Sequence, residues 1–122
     1  MGVSRSAVVI DFPTILKGSH AVLYNFMCLY FLKGSSGYVK IGRTTNFDKR
    51  LSEIRRATTD SQVDVLAVFH GEDDFIIERE RELHFSLAGS RYKGEWYEDS
   101  GPVREALASC DREFNPELLV SR

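Results

Sequence analysis

Residues 28–50 constrain the fold of this 122-residue chain more strongly than any other stretch. Two short apolar runs, LYFL at 29–32 and YVKI at 38–41, flank a Gly-Ser-Ser-Gly segment. Tyr, Phe, Val and Ile favour strands, and a loop of about four Gly and Ser residues is typical of a β-hairpin. The sequence therefore predicts antiparallel strands at about 27–33 and 38–42.

The hairpin is expected to lead directly into a helix over 46–57. Asn46 is predicted to be its N-cap, because an Asn side chain accepts a hydrogen bond from the free backbone N–H groups of a first turn. Arg50 lies beside the apolar stripe of this helix, so we expect its guanidinium near the edge of the core. Apolar residues at helical spacing form that stripe, namely Phe47, Leu51 and Ile54.

Further along the chain, the sequence predicts one more strand and a second helix. The apolar run VDVLAVFH predicts a mostly buried strand over 63–70. The helix that follows is expected to start with Asp73 or Asp74 as its cap and to run to about Leu87. Glu80 lies on the apolar side of this helix, which is unusual because acids are rarely buried unless they are paired or bound to a metal.

The last third of the chain predicts a loop and a third helix. Residues 89–94 are expected to form a basic loop, and 95–97 a short extended segment. A Ser followed by a Pro in the first turn predicts a helix over 102–109. The predicted fold class is therefore a small α/β domain, in which helices flank a three-stranded, mainly antiparallel sheet. We expect this domain to span 23–110.

The two ends of the chain give weaker patterns. Residues 1–22 are interpreted as an N-terminal extension of unassigned role, because Pro13 breaks whatever element precedes it. Residues 111–122 are interpreted as a C-terminal tail, since Asn115-Pro116 interrupts the pattern there.

Charge is distributed unevenly, although the net charge is only −2. A chain of this balance is not a generally basic nucleic-acid-binding protein. Seven basic and two acidic residues nevertheless lie between Lys33 and Arg56, whereas six acidic and two basic residues lie between Glu72 and Glu82. This contrast is consistent with a phosphate site beside a metal ligand, or with two solvated helix faces of opposite sign.

Cysteine content and hydropathy bear on the compartment. The chain has two cysteines and no close Cys pair, which argues against a zinc site and against a disulfide framework. No stretch approaches the roughly 18 to 20 apolar residues of a membrane-spanning helix. The N-terminus lacks the pattern of a signal peptide. A reducing, cytoplasmic setting is expected, without a membrane partner.

Four landmarks in order make the chain resemble the GIY-YIG nuclease superfamily. Two tripeptides lie on neighbouring strands about ten residues apart, and a helix with an arginine follows them. The match is closer to a phage-type subgroup that carries KIG in place of YIG, and it covers roughly 29–97. The landmarks are Cys28-Leu29-Tyr30, Lys40-Ile41-Gly42, Glu80-x-x-Leu83-His84 and Gly94-Glu95-Trp96-Tyr97.

The resemblance implies roles for individual residues. Tyr30 aligns with a tyrosine that helps to activate water, and a nearby cation must lower the pKa of its phenol for that role. Lys40 replaces a second tyrosine and is expected to supply this cation, while Tyr38 is a candidate substitute for the missing phenol. Arg50 aligns with the arginine that binds the scissile phosphate. Its alternative is an ion pair with Glu53 or Asp48.

The resemblance also implies a metal ligand. Glu80 aligns with a glutamate that holds one divalent ion, Mg²⁺ or Mn²⁺. His84 and Glu95 are candidates for groups that support this ligand without binding the ion directly, and Trp96 is another, although Trp96 more commonly packs on the core in such a position. Arg43, Thr44 and Lys33 are expected to add contacts to substrate phosphates.

The function implied is that of an endonuclease that hydrolyses DNA phosphodiester bonds with one divalent metal ion. One alternative is a DNA-binding module of the same fold that has lost cleavage, and another is a protein-interaction or regulatory domain. A domain this small commonly obtains sequence specificity from an attached module or as a dimer.

Overall fold

The computed structural model describes residues 26–57 and 62–114. Within them, the chain forms five strands and three α-helices. The predicted N-terminal extension, 1–22, and residues 115–122 of the predicted tail lie outside the described residues. The elements are β1 (Phe26–Gly34), β2 (Val39–Thr44), α1 (Phe47–Ala57), β3 (Val63–Glu72), α2 (Asp73–Ser86), a 3₁₀ turn (Ala88–Ser90), β4 (Arg91–Lys93), β5 (Trp96–Tyr97) and α3 (Gly101–Phe114).

The sheet has five antiparallel strands in the order β3-β1-β2-β5-β4. The α/β class is confirmed, but the prediction of three strands is wrong. The predicted basic loop at 89–94 contains β4, and the predicted extended segment at 95–97 contains β5. These strands are three and two residues long. Segments this short do not show the period-two alternation by which a strand is recognised.

The sheet buries apolar side chains on both faces. Leu29 and Phe31 of β1 pack toward α2 and α3, on what we call the α2 face. Cys28, Tyr30 and Leu32 alternate with them and pack under α1, on the α1 face. Apolar side chains on both faces explain why β1 reads as a continuous hydrophobic run.

The β1–β2 hairpin forms as predicted, and it depends on two glycines. Gly37 in the turn has a φ of +99°, a conformation that favours glycine. Tyr30 pairs with Gly42 across the hairpin. A Cβ on Gly42 would lie 2.5 Å from the Tyr30 hydroxyl oxygen, so the Tyr30 ring occupies the space that any other residue would need.

The helix starts confirm one capping prediction and correct another. Asn46 Oδ1 accepts a hydrogen bond from the backbone N–H of Lys49 at 3.2 Å, as expected of an N-cap. The N-cap of α2 is instead Glu72, whose side chain makes no capping bond. Asp73 and Asp74 lie in the first turn, where the helix dipole favours negative charge. The predicted caps of α2 were therefore displaced by one or two residues.

Helix α3 continues past the end predicted at 109. It reaches Phe114, whose ring stacks on Phe69 of β3 with centroids 5.0 Å apart. This contact ties the last turn of α3 to the sheet. No helix within 26–57 or 62–114 combines the length and hydropathy that crossing a bilayer requires.

Candidate active site

Three potential metal ligands converge beside strand β2. Glu80 and His84 lie one turn apart on α2, and Glu95 precedes β5. One ligand atom from each of these residues lies within 4.8 Å of the other two. Glu80 is 9% exposed, which makes it the most buried charged side chain of the described core. We call these three residues the acidic cluster.

The local fold holds the acidic cluster against the hairpin. Glu80 and His84 are at i and i+4 on α2, so both side chains point from the same helix face. The backbone N–H of Ile41 donates to the carbonyl oxygen of Glu95 at 3.1 Å, which fixes Glu95 beside β2. Gly94, with a φ of +59°, makes the tight turn that brings Glu95 back to the sheet.

Two cations of β2 neutralise the acidic cluster in part. Arg43 Nε lies 3.1 Å from Glu80 Oε1, and Lys40 Nζ lies 3.3 Å from Glu95 Oε1. Lys40 also lies 5.3 Å from the centre of the Trp96 ring. Arg43 and Lys40 point to opposite sides of β2, so the acidic cluster contacts one cation from each face of the sheet.

The environment of Glu80 favours its ionised form. Burial raises the pKa of the Glu80 carboxyl, but His84 and then Arg43 lower it by a larger amount together. The net pKa lies below the ordinary value of 4.5. Glu80 is therefore a carboxylate at neutral pH, the form that binds a cation.

The two nitrogens of the His84 ring have different surroundings. Its Nδ1 contacts the buried hydroxyl of Tyr97, and Arg91 Nη2 donates to the same hydroxyl oxygen at 3.2 Å. The Nε2 atom lies 3.4 Å from Glu80 Oε2, within ion-pair distance. That approach is poorly aligned, and in the described part of the chain the buried Nε2 has no hydrogen-bond partner. The arrangement resembles a metal-binding histidine oriented through its other nitrogen.

Tyr30 and Arg50 form a second polar pair, under α1. Tyr30 is fully buried, and its ring packs against Phe47 with centroids 5.8 Å apart. Its hydroxyl makes no well-aligned hydrogen bond with any residue of 26–57 or 62–114, but the Arg50 guanidinium lies close enough to perturb its pKa. Arg50 is also 3.3 Å from Glu53, so the ion pair that we considered as its alternative role is present as well.

The pKa of Tyr30 moves opposite to the expected direction. Burial raises the pKa of its phenol above 10.0, and the nearby Arg50 guanidinium only partly opposes this effect. Lys40 is not the cation beside the Tyr30 phenol, because Lys40 pairs with Glu95. Tyr30 is therefore a neutral phenol at neutral pH, whereas a depressed pKa was expected.

Three other predicted residues are engaged elsewhere. Tyr38 stacks on Tyr92 with ring centroids 4.0 Å apart, and it lies four residues, or about 13 Å of strand, before Gly42. The Thr44 hydroxyl accepts a hydrogen bond from the backbone N–H of Asn46 at 3.1 Å and so shapes the turn before α1. Lys33 pairs in register with Val39 near the hairpin turn, and its ammonium forms an ion pair with Asp99 at 2.8 Å and not with the acidic cluster.

The sequence did not assign a role to Tyr97 or Arg91. Tyr97 was recognised only as the last residue of a motif, and Arg91 only as part of a basic loop. Their contact with His84 depends on the pairing of Tyr97 with Val39 and of Arg91 with Tyr97. Neither pairing has a local signature, so only the three-dimensional structure shows them.

A separate cavity of about 250 Å³ lies between β3 and α3. Apolar residues such as Leu66 and Leu107 line it, with Arg104 and Asp111 at its margin. It contains no residue of the acidic cluster. The cavity is therefore separate from the acidic cluster, which lies where α2 meets β2 and β5.

Comparison with known proteins assigns the chain to a family. No curated protein and no solved structure matches it. The model of the T5orf172 domain matches residues 26–113. This range contains every strand and helix described above except Phe114, the last residue of α3. The chain therefore belongs to the T5orf172 domain family, a phage-associated domain family that is related to nucleases.

Proposed function

We propose that this chain is a GIY-YIG-type endonuclease that hydrolyses DNA phosphodiester bonds with one divalent metal ion. The convergence of Glu80, His84 and Glu95 is the observation that carries the proposal. A nuclease or DNA-binding role is also what the family match suggests. Carboxylates beside cations on a DNA-binding surface are the groups that metal-assisted phosphodiester hydrolysis requires.

The acidic cluster has a suitable donor set for Mg²⁺ or Mn²⁺. Glu80 is ionised, and the buried Nε2 of His84 faces it without a well-aligned partner in the described ranges. Carboxylate oxygens suit both ions, and an imidazole nitrogen favours Mn²⁺. A bound divalent ion supplies Lewis acidity toward a phosphoryl oxygen and lowers the pKa of a coordinated water.

Arg50 is the residue we assign to the scissile phosphate. Its side chain is about two-fifths exposed, so the guanidinium reaches solvent while Tyr30 lies behind it. A guanidinium donates two parallel hydrogen bonds to phosphate oxygens and keeps its charge. Because the pKa of Tyr30 is raised, we assign Tyr30 to positioning Arg50 and not to accepting a proton.

We assign the remaining polar groups to neutralising phosphate charge and to accepting the proton of the attacking water. Lys40 and Arg43 offset the negative charge of the approaching phosphates. Glu95 is the more exposed carboxylate of the acidic cluster, with 43% of its side chain accessible, compared with 12% for Glu80. We therefore assign proton acceptance to Glu95, since a general base must reach the water.

Nicking of supercoiled plasmid in Mg²⁺ or Mn²⁺ tests this proposal. We expect the wild type to nick and Glu80→Gln and Arg50→Ala to lose at least about 100-fold in rate, because the first removes a charged metal ligand and the second removes the cation at the phosphate. Glu78→Gln is the matched control, since Glu78 is an exposed glutamate on the same helix paired with Arg81. Equal nicking by all four proteins, or none by the wild type, would contradict the proposal.

A DNA-binding module without cleavage is the second candidate. The observation in its favour is that Arg43 and Lys40 already contact both carboxylates of the acidic cluster. Such a module would bind DNA equally well in EDTA, and Glu80→Gln would not change its affinity. Salt-dependent binding without nicking by the wild type would support this candidate over the nuclease.

A further inference from the structure

Two tyrosines form a stacked pair on the surface next to the proposed active site. Tyr38 directly precedes β2, and Tyr92 is the middle residue of β4. Their rings are 4.0 Å apart at the centroids and 11° from parallel. Tyr92 is 57% exposed, so one face of the pair is open to solvent.

The tyrosine pair lies on the same side of the sheet as Lys40 and Trp96. Tyr38 lies two residues before Lys40 in extended chain, so their side chains share a face about 7 Å apart. Tyr92 lies on that face as well, because its ring stacks on the Tyr38 ring. Lys40 lies over the Trp96 ring and forms an ion pair with Glu95, so this surface extends as far as the acidic cluster.

The tyrosine pair is accompanied by positive charge. Lys93 follows Tyr92 directly, is exposed, and has no ion-pair partner within the described ranges. Lys40 is only 16% exposed at its side chain but directs its ammonium toward the same edge as Glu95. Exposed aromatic rings between cations are what single-stranded nucleic acid requires, since bases stack on the rings and phosphates bind the charges.

We propose that the Tyr38–Tyr92 pair stacks an unpaired base of single-stranded DNA beside the acidic cluster. The proposal rests on the nuclease function above and specifies its substrate, which is DNA with a single-stranded segment at the cleavage point. Stacking Tyr38 against Tyr92 fixes the orientation of the outer ring before DNA arrives, so little side-chain entropy is lost on binding. The bases of an intact duplex are already stacked on each other and do not reach this ring.

Fluorescence anisotropy in EDTA tests the proposal without cleavage. The probes are a labelled 12-nucleotide single strand, the blunt duplex of the same sequence, and that duplex with a single-stranded overhang. We expect Tyr92→Ala to weaken binding to the single strand and the overhang by about 5- to 100-fold and to leave duplex binding unchanged. Tyr92→Trp should retain the affinity, because it keeps an aromatic face.

Phe85→Ala is the matched control. Phe85 is 85% exposed on α2, so its truncation removes a similar exposed ring away from the tyrosine pair. Unchanged single-strand binding by Tyr92→Ala, or an equal loss with Phe85→Ala or with the duplex, would overturn the proposal. A wild type that binds no single strand would overturn it too.

The same assay separates this proposal from the nuclease function. Loss of single-strand binding in Tyr92→Ala, combined with no nicking by the wild type, would keep the base-stacking site and reject the nuclease. Nicking by the wild type, combined with an unchanged affinity of Tyr92→Ala, would keep the nuclease and reject the base-stacking site.

Discussion

The two faces of the sheet each bury one tyrosine completely, and the two hydroxyls differ. On the α2 face, the Tyr97 hydroxyl contacts His84 Nδ1 and accepts from Arg91. On the α1 face, the Tyr30 hydroxyl faces Arg50 and has no well-aligned hydrogen bond to any described residue. Both rings are 0% exposed, so burial alone does not account for the difference.

From this difference we interpret Tyr97 as a residue that supports the site and Tyr30 as a residue that takes part in function. A buried hydroxyl without a partner costs free energy, and native proteins keep such groups mainly where they serve a site. Tyr97 is satisfied, and it orients a proposed metal ligand. Tyr30 lies behind the arginine that we assign to the phosphate, and its hydroxyl faces that guanidinium.

The largest effect on the Tyr30 side is expected from Gly42→Ala. The new Cβ would lie 2.5 Å from the Tyr30 hydroxyl oxygen and 2.6 Å from Cζ, and the fully buried ring has no space to move. We expect a loss of about 3 kcal/mol in the free energy of unfolding, measured by urea denaturation. Gly89→Ala is the control, because no atom lies within 4 Å of its added Cβ. Equal losses in both variants would contradict this account of Gly42.

A histidine on the same face as Tyr30 makes the stability depend on pH. His70 pairs with Cys28 on the α1 face, and burial lowers the pKa of its imidazole from 6.5 to about 4. The unfolded chain therefore takes up this proton first as the pH falls. Stability from His70 is complete above pH 6.5 and declines between pH 6.5 and about 4.

We expect this decline to reach about 3 kcal/mol at pH 4. It should disappear in His70→Gln, so that the difference between the two unfolding free energies changes with pH over that interval. Parallel pH profiles of the wild type and His70→Gln would show that burial does not shift the His70 pKa.

Removing each tyrosine hydroxyl tests the comparison itself. Tyr97→Phe leaves His84 Nδ1 and Arg91 without their shared partner, and we expect a loss of about 1–2 kcal/mol. Tyr30→Phe removes a hydroxyl without a well-aligned partner, so its unfolding free energy should change by less than about 0.5 kcal/mol. Plasmid nicking should nevertheless fall in Tyr30→Phe. The reverse order of stabilities would contradict the roles assigned to the two residues.

The smallest expected effects concern two lysines of the hairpin. Lys40 pairs with Glu95 of the acidic cluster, whereas Lys33, at the next register position of the hairpin, pairs with Asp99. Lys40→Gln should reduce the slope of log affinity against log salt by about 1 for DNA binding, and Lys33→Gln should leave it unchanged. Equal slopes for the two variants would place the DNA elsewhere on the surface.

Local signals explain which parts of the fold the sequence predicts well. The hairpin and α1 are specified by a Gly-Ser turn, an Asn cap and an apolar stripe, all within about 30 residues of each other. Strands β4 and β5 have no such signal, because β5 joins the sheet by pairing with residues of β2 more than 50 positions away, and β4 joins it through β5. Tertiary pairing therefore creates these strands, and the local sequence only permits them.

The candidate site, like the fold, could be predicted only in part from the sequence. Glu80 stands out in the sequence because a carboxylate on an apolar helix face needs a partner, and the structure supplies Arg43 and His84. The engagement of Lys40 with Glu95 in place of Tyr30 could not be predicted, since it depends on where the turn at Gly94 places Glu95. The residue types of the site could thus be read from the sequence, whereas the pairing of Lys40 with Glu95 could not.

Calorimetric titration with Mn²⁺ is the most direct measurement of whether Glu80, His84 and Glu95 form a metal site. We expect the wild type and the matched control Glu78→Gln to bind one ion per chain. Glu80→Gln and His84→Ala should bind at least about 10-fold more weakly, because each loses a ligand. Equal Mn²⁺ affinity in all four proteins, or no binding by the wild type, would contradict the metal site on which the proposed function depends.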